Sequence, residues 1–210
     1  MRDETIRIEG TRIVLRDATL GDLGPLAHWL QAGHRWHELD APYYPKPTPD
    51  DIVRMIADRR TRIIDGHFPT PRESLVIADR GTEALLGHVT WCWESQETNW
   101  LSVGIGLYDP ETWGKGYGYE ALGLWGEYLF GAMPQLARLD LRTWSGNQGM
   151  MRLAEKIEFV EEARFRKARI VNGEYFDGLG YGVLREEWRE RYPDGFVTTL
   201  VSDRGSQPGG

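Results

Sequence analysis

Residues 109–121 of the chain read Asp-Pro-Glu-Thr-Trp-Gly-Lys-Gly-Tyr-Gly-Tyr-Glu-Ala. Glycine recurs at every second position from Gly114 to Gly118. An apolar run at 101–108 comes just before this stretch and predicts a strand. The apolar residues after it recur at the spacing of one helix face, namely Tyr117, Ala121, Leu122, Leu124, Trp125, Tyr128 and Leu129. The sequence therefore predicts a strand that leads through a glycine-rich turn into a helix.

Such a turn has the physical properties of an anion site. The first turn of a helix has unpaired backbone N–H groups and the positive end of the helix dipole. Glycine lets a ligand approach that backbone closely. These properties favour a phosphate or pyrophosphate site. A purely structural turn is an equal alternative, because short glycine motifs often match by chance.

Two known phosphate motifs can be compared with this turn. A P-loop requires Ser or Thr directly after its lysine, and Lys115 is followed by Gly116, so the P-loop is excluded. A dinucleotide fingerprint read from Gly116 fits, because Ala121 is tolerated at its third position and Asp140 follows at a possible ribose-binding spacing. The dinucleotide site stays open on the motif alone.

Length and composition indicate which class of protein the sequence encodes. The chain has 210 residues, which suits one domain, and its 40% hydrophobic and 27% charged residues are typical of a soluble globular protein. No apolar run is long enough to span a membrane, and the first residues lack the apolar core of a signal peptide. We therefore expect a cytoplasmic protein that does not bind membranes.

Charge and cysteine content narrow the possible partners. The net charge of −7 argues against nucleic-acid binding and mildly favours a cationic or amine partner. The single cysteine, Cys92, excludes an internal disulfide and a cysteine-based metal cluster, and we expect it to be a small buried side chain. The five histidines show no metal-ligand spacing, so no metal is predicted.

The order of predicted elements indicates an α+β (mixed α/β) fold. Strands are predicted at 5–17 (with a turn at Glu9-Gly10), 74–79, 84–93, 100–108, 138–144, 159–171 and 174–184. Asn172-Gly173 predicts a type I′ hairpin, and helices are predicted between the strands to give the order β-α-α-β-β-β-α-β-α-β-β. An antiparallel meander before the glycine turn disfavours a dinucleotide fold, which repeats βαβ units.

Residues 1–194 are predicted to form one domain, and 195–210 a C-terminal tail with a flexible end of linker composition. Exposed tryptophans or the segment 195–204 could form a homodimer interface.

The chain resembles a known family of enzymes. Its element order and four pieces of sequence are similar to the GNAT superfamily of N-acetyltransferases, in particular the branch of ribosomal-protein N-terminal acetyltransferases. The resemblance covers about residues 11–190. The four pieces are Thr-Arg-Ile-Val-Leu-Arg at 11–16, Leu-Gly-His at 86–88, the stretch 109–121, and Asn147 with 152–159, Asp177 and 181–188.

The resemblance implies a splayed, mostly antiparallel sheet of about seven strands flanked by about four helices. Acetyl-coenzyme A (acetyl-CoA) would lie where strands 100–108 and 138–144 part, with its pyrophosphate on the glycine turn. Its pantetheine arm would pair near Leu107 and Tyr108, where a backbone N–H would polarise the acetyl carbonyl. The implied cofactor contacts are Leu107, Tyr108, Trp113, Gly114, Lys115, Gly116, Tyr117, Gly118, Tyr119 and Asn147.

The function implied is acetyl-CoA-dependent transfer of an acetyl group to a primary amine by direct attack in a ternary complex. The acceptor would be a peptide N-terminus, an amino acid, a polyamine or another small amine. The family's tyrosine and this branch's serine, which protonate the leaving thiolate, fall at Ala154 and Met150, and neither side chain can donate a proton. The alternative is therefore a catalytically weak acyl-CoA-binding sensor or interaction module.

Candidate residues for the amine side come from two places. Pairing of strands 84–93 and 100–108 would put His88 opposite Gly106, beside the expected reaction centre. With a reference pKa of about 6.5, His88 could act as the base; the alternative is a structural histidine on the sheet face. The proline-rich loop 34–47 could bind the acceptor or serve as a packed connector. Its candidates are Trp36, His37, Glu38, Asp40 and Tyr43, of which His37, Glu38 and Asp40 are also alternatives to His88 as the base.

Overall fold

The computed structural model describes residues 4–205. The expected flexible end of the chain, from residue 206, lies outside the described residues. Within 4–205 there are eight strands in one sheet and six α-helices. The strands are β1 (Arg7–Glu9), β2 (Ile13–Arg16), β3 (Ser74–Asp79), β4 (Leu85–Ser95), β5 (Trp100–Leu107), β6 (Arg138–Trp144), β7 (Val160–Val171) and β8 (Glu174–Leu184). The helices are α1 (Leu23–Leu30), α2 (Pro49–Asp65), α3 (Tyr117–Ala132), α4 (Gln148–Lys156), α5 (Arg185–Arg191) and α6 (Phe196–Gly205).

The sheet has the order β1-β2-β3-β4-β5-β6-β8-β7. Every neighbouring pair is antiparallel except β5 and β6, which are parallel. The predicted mixed, mostly antiparallel fold is confirmed. The count of about seven strands is one short, because the turn near Gly10 divides the predicted first strand into β1 and β2.

Local signals in the sequence place several boundaries correctly. The Thr48 hydroxyl accepts a hydrogen bond from the Asp51 N–H at 3.2 Å and caps α2, which ends at Gly66 in the left-handed conformation. Asn172 and Gly173 both have positive φ, as the predicted type I′ turn between β7 and β8 requires.

The core lies between the sheet and α3. Leu122, Trp125 and Leu129 of α3 are at most 1% exposed, and they belong to the same buried cluster as side chains from β2 to β6 and β8. Such complete burial fixes the position of the helix and therefore of the glycine turn that begins it.

The segment after residue 194 is not simply a tail. Phe196 is fully buried, and its ring fills the space where Gly123 of α3 has no side chain. The C-terminal segment therefore begins with a helix that packs against α3, a correction to the predicted boundary. The predicted boundary at residue 194 comes too early because the buried Phe196 ring belongs to the core, where an aromatic side chain contributes to the stability of the domain.

The parallel pair β5 and β6 separates partway along its length. Pairing runs only from Leu101↔Leu139 to Val103↔Leu141. Beyond it, β5 stays paired with β4 as far as Leu107, and β6 stays paired with β8 as far as Trp144. Both edges of the resulting gap are thus held by neighbouring strands. The expected parting of strands 100–108 and 138–144 is confirmed.

No helix within residues 4–205 is long and apolar enough to cross a membrane.

Candidate active site

The glycine turn presents free backbone N–H groups. Gly114 and Gly116 have φ of 73° and 87°, in the left-handed region that favours glycine. The Glu120 N–H donates to the Gly116 carbonyl at 3.1 Å and forms the first bond of α3. The N–H groups of residues 117–119 therefore have no acceptor within the helix. This arrangement fits a bound phosphate or pyrophosphate.

Arg12 supports the turn from the hairpin between β1 and β2. Its guanidinium Nη1 donates to the Lys115 carbonyl at 2.5 Å, and a side chain at Gly116 would collide with this nitrogen. The backbone N–H groups of Arg12 and Ile13 donate to the buried Glu120 carboxylate of α3 at 2.8 and 3.1 Å. Sequence reasoning missed this role of Arg12, because only the fold brings residues 12 and 115 together.

A cavity of about 630 Å³ extends from the glycine turn along the gap between β5 and β6 to the loop after α1. Its size is typical of a small-molecule site. Ten of the predicted site residues line it, namely Trp36, Asp40, Tyr43, Leu107, Trp113, Gly114, Gly116, Gly118, Tyr119 and Asn147. Lys115 and Tyr117 belong to the turn but do not line the cavity.

The free edge of β5 lies at Ile105 and Leu107 rather than at Tyr108. The Tyr108 N–H donates to the Leu86 carbonyl beside β4 at 3.0 Å. Backbone groups alternate in direction along a strand, so those of Ile105 and Leu107 are directed into the gap. The Leu107 carbonyl accepts from the Trp113 indole N–H at 3.0 Å. The N–H groups of Ile105 and Leu107 remain for a ligand, because the pairing of β5 with β6 ends at Val103. The expected backbone contact from Tyr108 is therefore corrected.

His88 takes the predicted place opposite Gly106. A Cβ on Gly106 would lie 3.0 Å from the His88 Cε1, so the imidazole covers this part of β5. The Tyr108 hydroxyl lies 2.8 Å from Nδ1 of His88. The pKa of His88 is lowered to about 4, mainly by burial and to a smaller extent by the positive charge of Arg59, while the charge of Asp40 opposes the shift. His88 is therefore neutral at pH 7 and can accept a proton.

Comparison with known proteins agrees with this geometry. The family model described as an acetyltransferase (GNAT) domain matches residues 12–160. The chain belongs to the GNAT acetyltransferase family. A curated relative, the SPbeta prophage-derived uncharacterized N-acetyltransferase YokL of Bacillus subtilis (strain 168), is 31% identical over 84 residues. That match spans 40% of this chain and 46% of the relative, less than half of its length.

Solved GNAT structures share the fold. An acetyltransferase (GNAT family) from Bacillus anthracis has a TM-score of 0.68 and 21% identity, over 87% of this chain and 100% of that one. A spermidine N-acetyltransferase SpeG chimera from Vibrio cholerae and hSSAT has a TM-score of 0.62 and 20% identity, over 85% and 98%. The ribosomal alpha-N-protein acetyltransferase RimL has a TM-score of 0.64 and 15% identity, over 87% and 96%.

The loop after α1 brings only part of its predicted set to the cavity of this GNAT domain. Trp36 is buried, and its indole N–H donates to the Trp29 carbonyl at 2.8 Å. The His37 ring packs against the Trp36 ring at a tilt of 31°, with 4.0 Å between the ring centroids, and its Nε2 lies 3.0 Å from the Gln31 carbonyl. Burial lowers the pKa of His37. Neither His37 nor Glu38 lines the cavity. The His37 ring packs within the loop, and the Glu38 side chain is exposed to solvent.

Asn147 connects this loop to the gap. Its Oδ1 accepts from the Met150 N–H at 3.0 Å and caps α4, while its Nδ2 donates to the Leu39 carbonyl at 3.2 Å. The Trp144 indole N–H donates to the same carbonyl at 3.0 Å. Leu39 is thereby fixed across the end of β6. Sequence reasoning named Asn147 as a cofactor contact and missed this link.

Helix α4 lines the cavity with apolar and basic side chains. Met150 and Leu153 face the cavity, while Ala154 is fully buried. Arg152 and Lys156 also line it, and the Lys156 ammonium lies 4.9 Å from the ring centre of Tyr119. Two positive charges therefore lie close to the glycine turn, where an anionic ligand would benefit from them.

The positions of Asp140 and Cys92 bear on two further predictions from the sequence. Asp140, the possible ribose ligand of a dinucleotide site, lies in β6 and forms an ion pair with Arg138 at 2.6 Å. Cys92 is exposed on β4 rather than buried, because it lies on the sheet face opposite to α3.

Within residues 4–205, no three His, Cys, Asp or Glu side chains are grouped to hold a metal ion.

Proposed function

We propose that this protein is an acetyl-CoA-dependent N-acetyltransferase that moves an acetyl group to a primary amine by direct attack in a ternary complex. The observation that carries the proposal is the continuity of one cavity, from the free N–H groups of the glycine turn to the open edge of β5. His88 does not line this cavity itself; its ring packs over Gly106, which does. This continuity lets a long, phosphate-bearing thioester present its reactive end to an amine. We also propose a cytoplasmic location and no metal.

The chain's own residues account for binding. The N–H groups of 117–119 would hold the pyrophosphate, with Arg152 and Lys156 adding positive charge. The open edge of β5 at Ile105 and Leu107 would pair with the pantetheine arm, and one of these N–H groups would polarise the acetyl carbonyl. Bound acetyl-CoA supplies the acetyl thioester.

His88 would receive the proton of the attacking amine. When its Nδ1–H donates to the Tyr108 oxygen, its Nε2 has a free lone pair. The amine nitrogen becomes acidic as it forms its bond to carbon, so even an imidazole of low basicity can accept the proton.

The acceptor belongs to one of four classes: a peptide N-terminus, an amino acid, a polyamine or another small amine. The structural neighbours named above include a spermidine and a ribosomal alpha-N-protein acetyltransferase, so both kinds of acceptor belong in a test panel.

The second candidate function is a catalytically weak acyl-CoA-binding sensor or interaction module. It is favoured by one observation: the positions on α4 that would protonate the thiolate carry the buried Ala154 and the apolar Met150. Binding without turnover would follow if no water or other group replaces them.

Two measurements on the same protein separate these functions. Thiol release from acetyl-CoA is followed with a panel of amines and peptides, and CoA affinity is measured by calorimetry. We expect amine-dependent thiol release together with CoA binding. CoA binding without release on any acceptor would support the sensor, and absence of CoA binding would contradict both.

A further inference from the structure

The end of the cavity beside the loop after α1 has aromatic walls. Apolar side chains from the loop and from the end of β6 line it, namely Trp36, Leu39, Ala41, Tyr43 and Trp144. The Tyr43 and Trp144 rings meet edge-on, with 6.4 Å between their centroids and an angle of 89° between their planes. The Trp36 ring centroid lies 5.1 Å from that of Tyr108, whose hydroxyl contacts His88. The aromatic walls therefore lie next to the residue that orients the proposed base.

Contacts from several sides fix the position of the Tyr43 ring. The guanidinium of Arg169 in β7 lies 4.7 Å from the centre of this ring, which is within the range of a cation–π contact. The Tyr44 ring packs against it in a T-shaped arrangement, with 4.9 Å between the centroids. Together with Trp144, these contacts form a wall that is in place before a ligand binds. A preformed wall lowers the entropic cost of binding.

This end of the cavity offers one place for a positive charge. Asp40 is the one carboxylate among the described residues that lines the cavity. Within residues 4–205, neither an ion pair nor a hydrogen bond occupies this carboxylate. It is therefore available to a ligand with a positive charge.

Two arginines beside Asp40 limit how much positive charge can bind. Arg35 and Arg142 line the same end of the cavity. Glu94 neutralises Arg142, because it binds the guanidinium with two bonds of 2.8 and 2.7 Å. The Arg35 guanidinium lies 5.7 Å from the ring centre of Trp113 and keeps its positive charge. A ligand with two or more positive charges would therefore meet repulsion here.

The backbone around Asp40 is fixed as well. The Asp40 N–H donates to the Trp36 carbonyl at 3.1 Å. The Lys46 ammonium donates to the Asp40 carbonyl and lies 3.5 Å from the Ala41 carbonyl. Ala41 has a φ of 43°, which a residue with a side chain adopts where its surroundings impose it. Asp40 thus lies on a segment that many contacts hold in place, as a specific binding site requires.

We infer that the acceptor is an aromatic monoamine, with its ammonium group bound by Asp40 and its ring bound against Tyr43 and Trp144. The inference rests on the proposed acetyltransferase function. A polyamine would bring a second positive charge towards Arg35. A peptide N-terminus would bring amide groups, which aromatic and aliphatic walls would leave without hydrogen bonds at a cost in free energy.

The test is calorimetric binding of four probes to the full chain saturated with CoA. The probes are 2-phenylethylamine, ethylamine (the same amine without the ring), spermidine and the peptide Ala-Ala-Ala-amide. We expect 2-phenylethylamine to bind at least about tenfold more tightly than ethylamine, as expected when a side chain of the size of phenylalanine leaves water. It should also bind more tightly than spermidine and the peptide.

Matched variants make the result specific to the two proposed contacts. Tyr43→Ala should reduce the preference for the ring by about tenfold, and Tyr44→Ala should keep it, because the exposed Tyr44 does not line the cavity. Asp40→Asn should weaken both monoamines by about tenfold, because a charge-assisted hydrogen bond is lost. Glu38→Gln, at an exposed position outside the cavity, is the control for that change. CoA affinity should stay the same in all four variants.

Several outcomes would overturn the inference. They are equal affinity for 2-phenylethylamine and ethylamine, no binding of either amine, and equal or tighter binding of spermidine or the peptide. An unchanged preference in Tyr43→Ala would also overturn it. Loss of CoA affinity in Tyr43→Ala would do the same, because it would assign the aromatic wall to the cofactor.

The outcome is separable from that of the proposed function. Preference for the aromatic amine in binding without thiol release would overturn the acetyl transfer and leave the amine site. Amine-dependent thiol release without this preference would overturn the amine site and leave the transfer.

Discussion

The Tyr108 hydroxyl and Nδ1 of His88 are 2.8 Å apart, and the His88 ring covers Gly106 at the edge of the gap between β5 and β6. The pKa of His88 is lowered to about 4 by burial, and burial raises that of Tyr108. Both side chains are therefore neutral near pH 7. This pair gives His88 a fixed orientation, which its proposed role as general base requires.

Replacing either member of the pair should reduce acetyl transfer. We expect His88→Asn to lower kcat/KM by about 100-fold or more, a typical contribution of a positioned base. Tyr108→Phe should lower it by about tenfold, because it removes one hydrogen bond that orients the imidazole. Steady-state thiol release provides the measurement. His28→Asn, at an exposed position of α1, is the control, and full activity of His88→Asn would contradict the role of His88 as base.

His88 should also make stability depend on pH. Its folded pKa of about 4 lies below the ordinary 6.5, so the unfolded chain binds more protons between these values. The contribution of neutral His88 is present above about pH 6.5 and is lost as the pH falls towards 4, with a slope of up to about 1.4 kcal/mol per pH unit. Urea unfolding at several pH values should show that the stability difference between the natural protein and His88→Asn shrinks on acidification. A pH-independent difference would contradict the lowered pKa.

Gly116 should be essential for binding of CoA. Its φ of 87° strains any other residue, and a side chain there would displace the Arg12 guanidinium from the turn. We expect Gly116→Val to weaken CoA binding by more than about tenfold in calorimetry, because blocked N–H groups lose charge-assisted hydrogen bonds to phosphate. Gly131→Ala, in the helix α3 that follows the turn, is the control, since open space surrounds that position. Unchanged CoA affinity in Gly116→Val would contradict the phosphate site.

Asn147 variants should distinguish its two possible roles. Asn147→Asp keeps the acceptor that caps α4 but loses the donor to the Leu39 carbonyl, whereas Asn147→Ala loses both and about 1 kcal/mol of stability. If the link to Leu39 is the main role, the KM for the amine rises in both variants and the KM for acetyl-CoA in neither. A rise in the KM for acetyl-CoA alone would instead support the cofactor contact.

The sequence predicts those parts of the site that depend on local patterns. The glycine turn follows from the spacing of Gly114, Gly116 and Gly118 between a strand and a helix. The position of His88 opposite Gly106 follows from the length of the turn between β4 and β5, and the register confirms it. In each case, nearby residues alone determine the geometry.

Other parts depend on contacts that no local pattern encodes. The sequence predicts backbone contacts to the cofactor from both Leu107 and Tyr108, but the Tyr108 N–H donates to the Leu86 carbonyl. Of the two, only the Leu107 N–H is directed into the gap, because alternate residues of a strand point to opposite sides. Arg12 comes near the glycine turn only through the packing of the β1–β2 hairpin. The buried Phe196 likewise shows that the start of the predicted C-terminal tail contributes to the core.

The most direct test of direct transfer is a two-substrate kinetic measurement of thiol release, with acetyl-CoA and the amine varied together and the acetylated amine identified by mass spectrometry. A ternary complex predicts double-reciprocal lines that intersect, and one acetylated amine for each thiol released. Parallel lines, with an acetyl group found on the protein (for example on the exposed Cys92), would contradict direct attack.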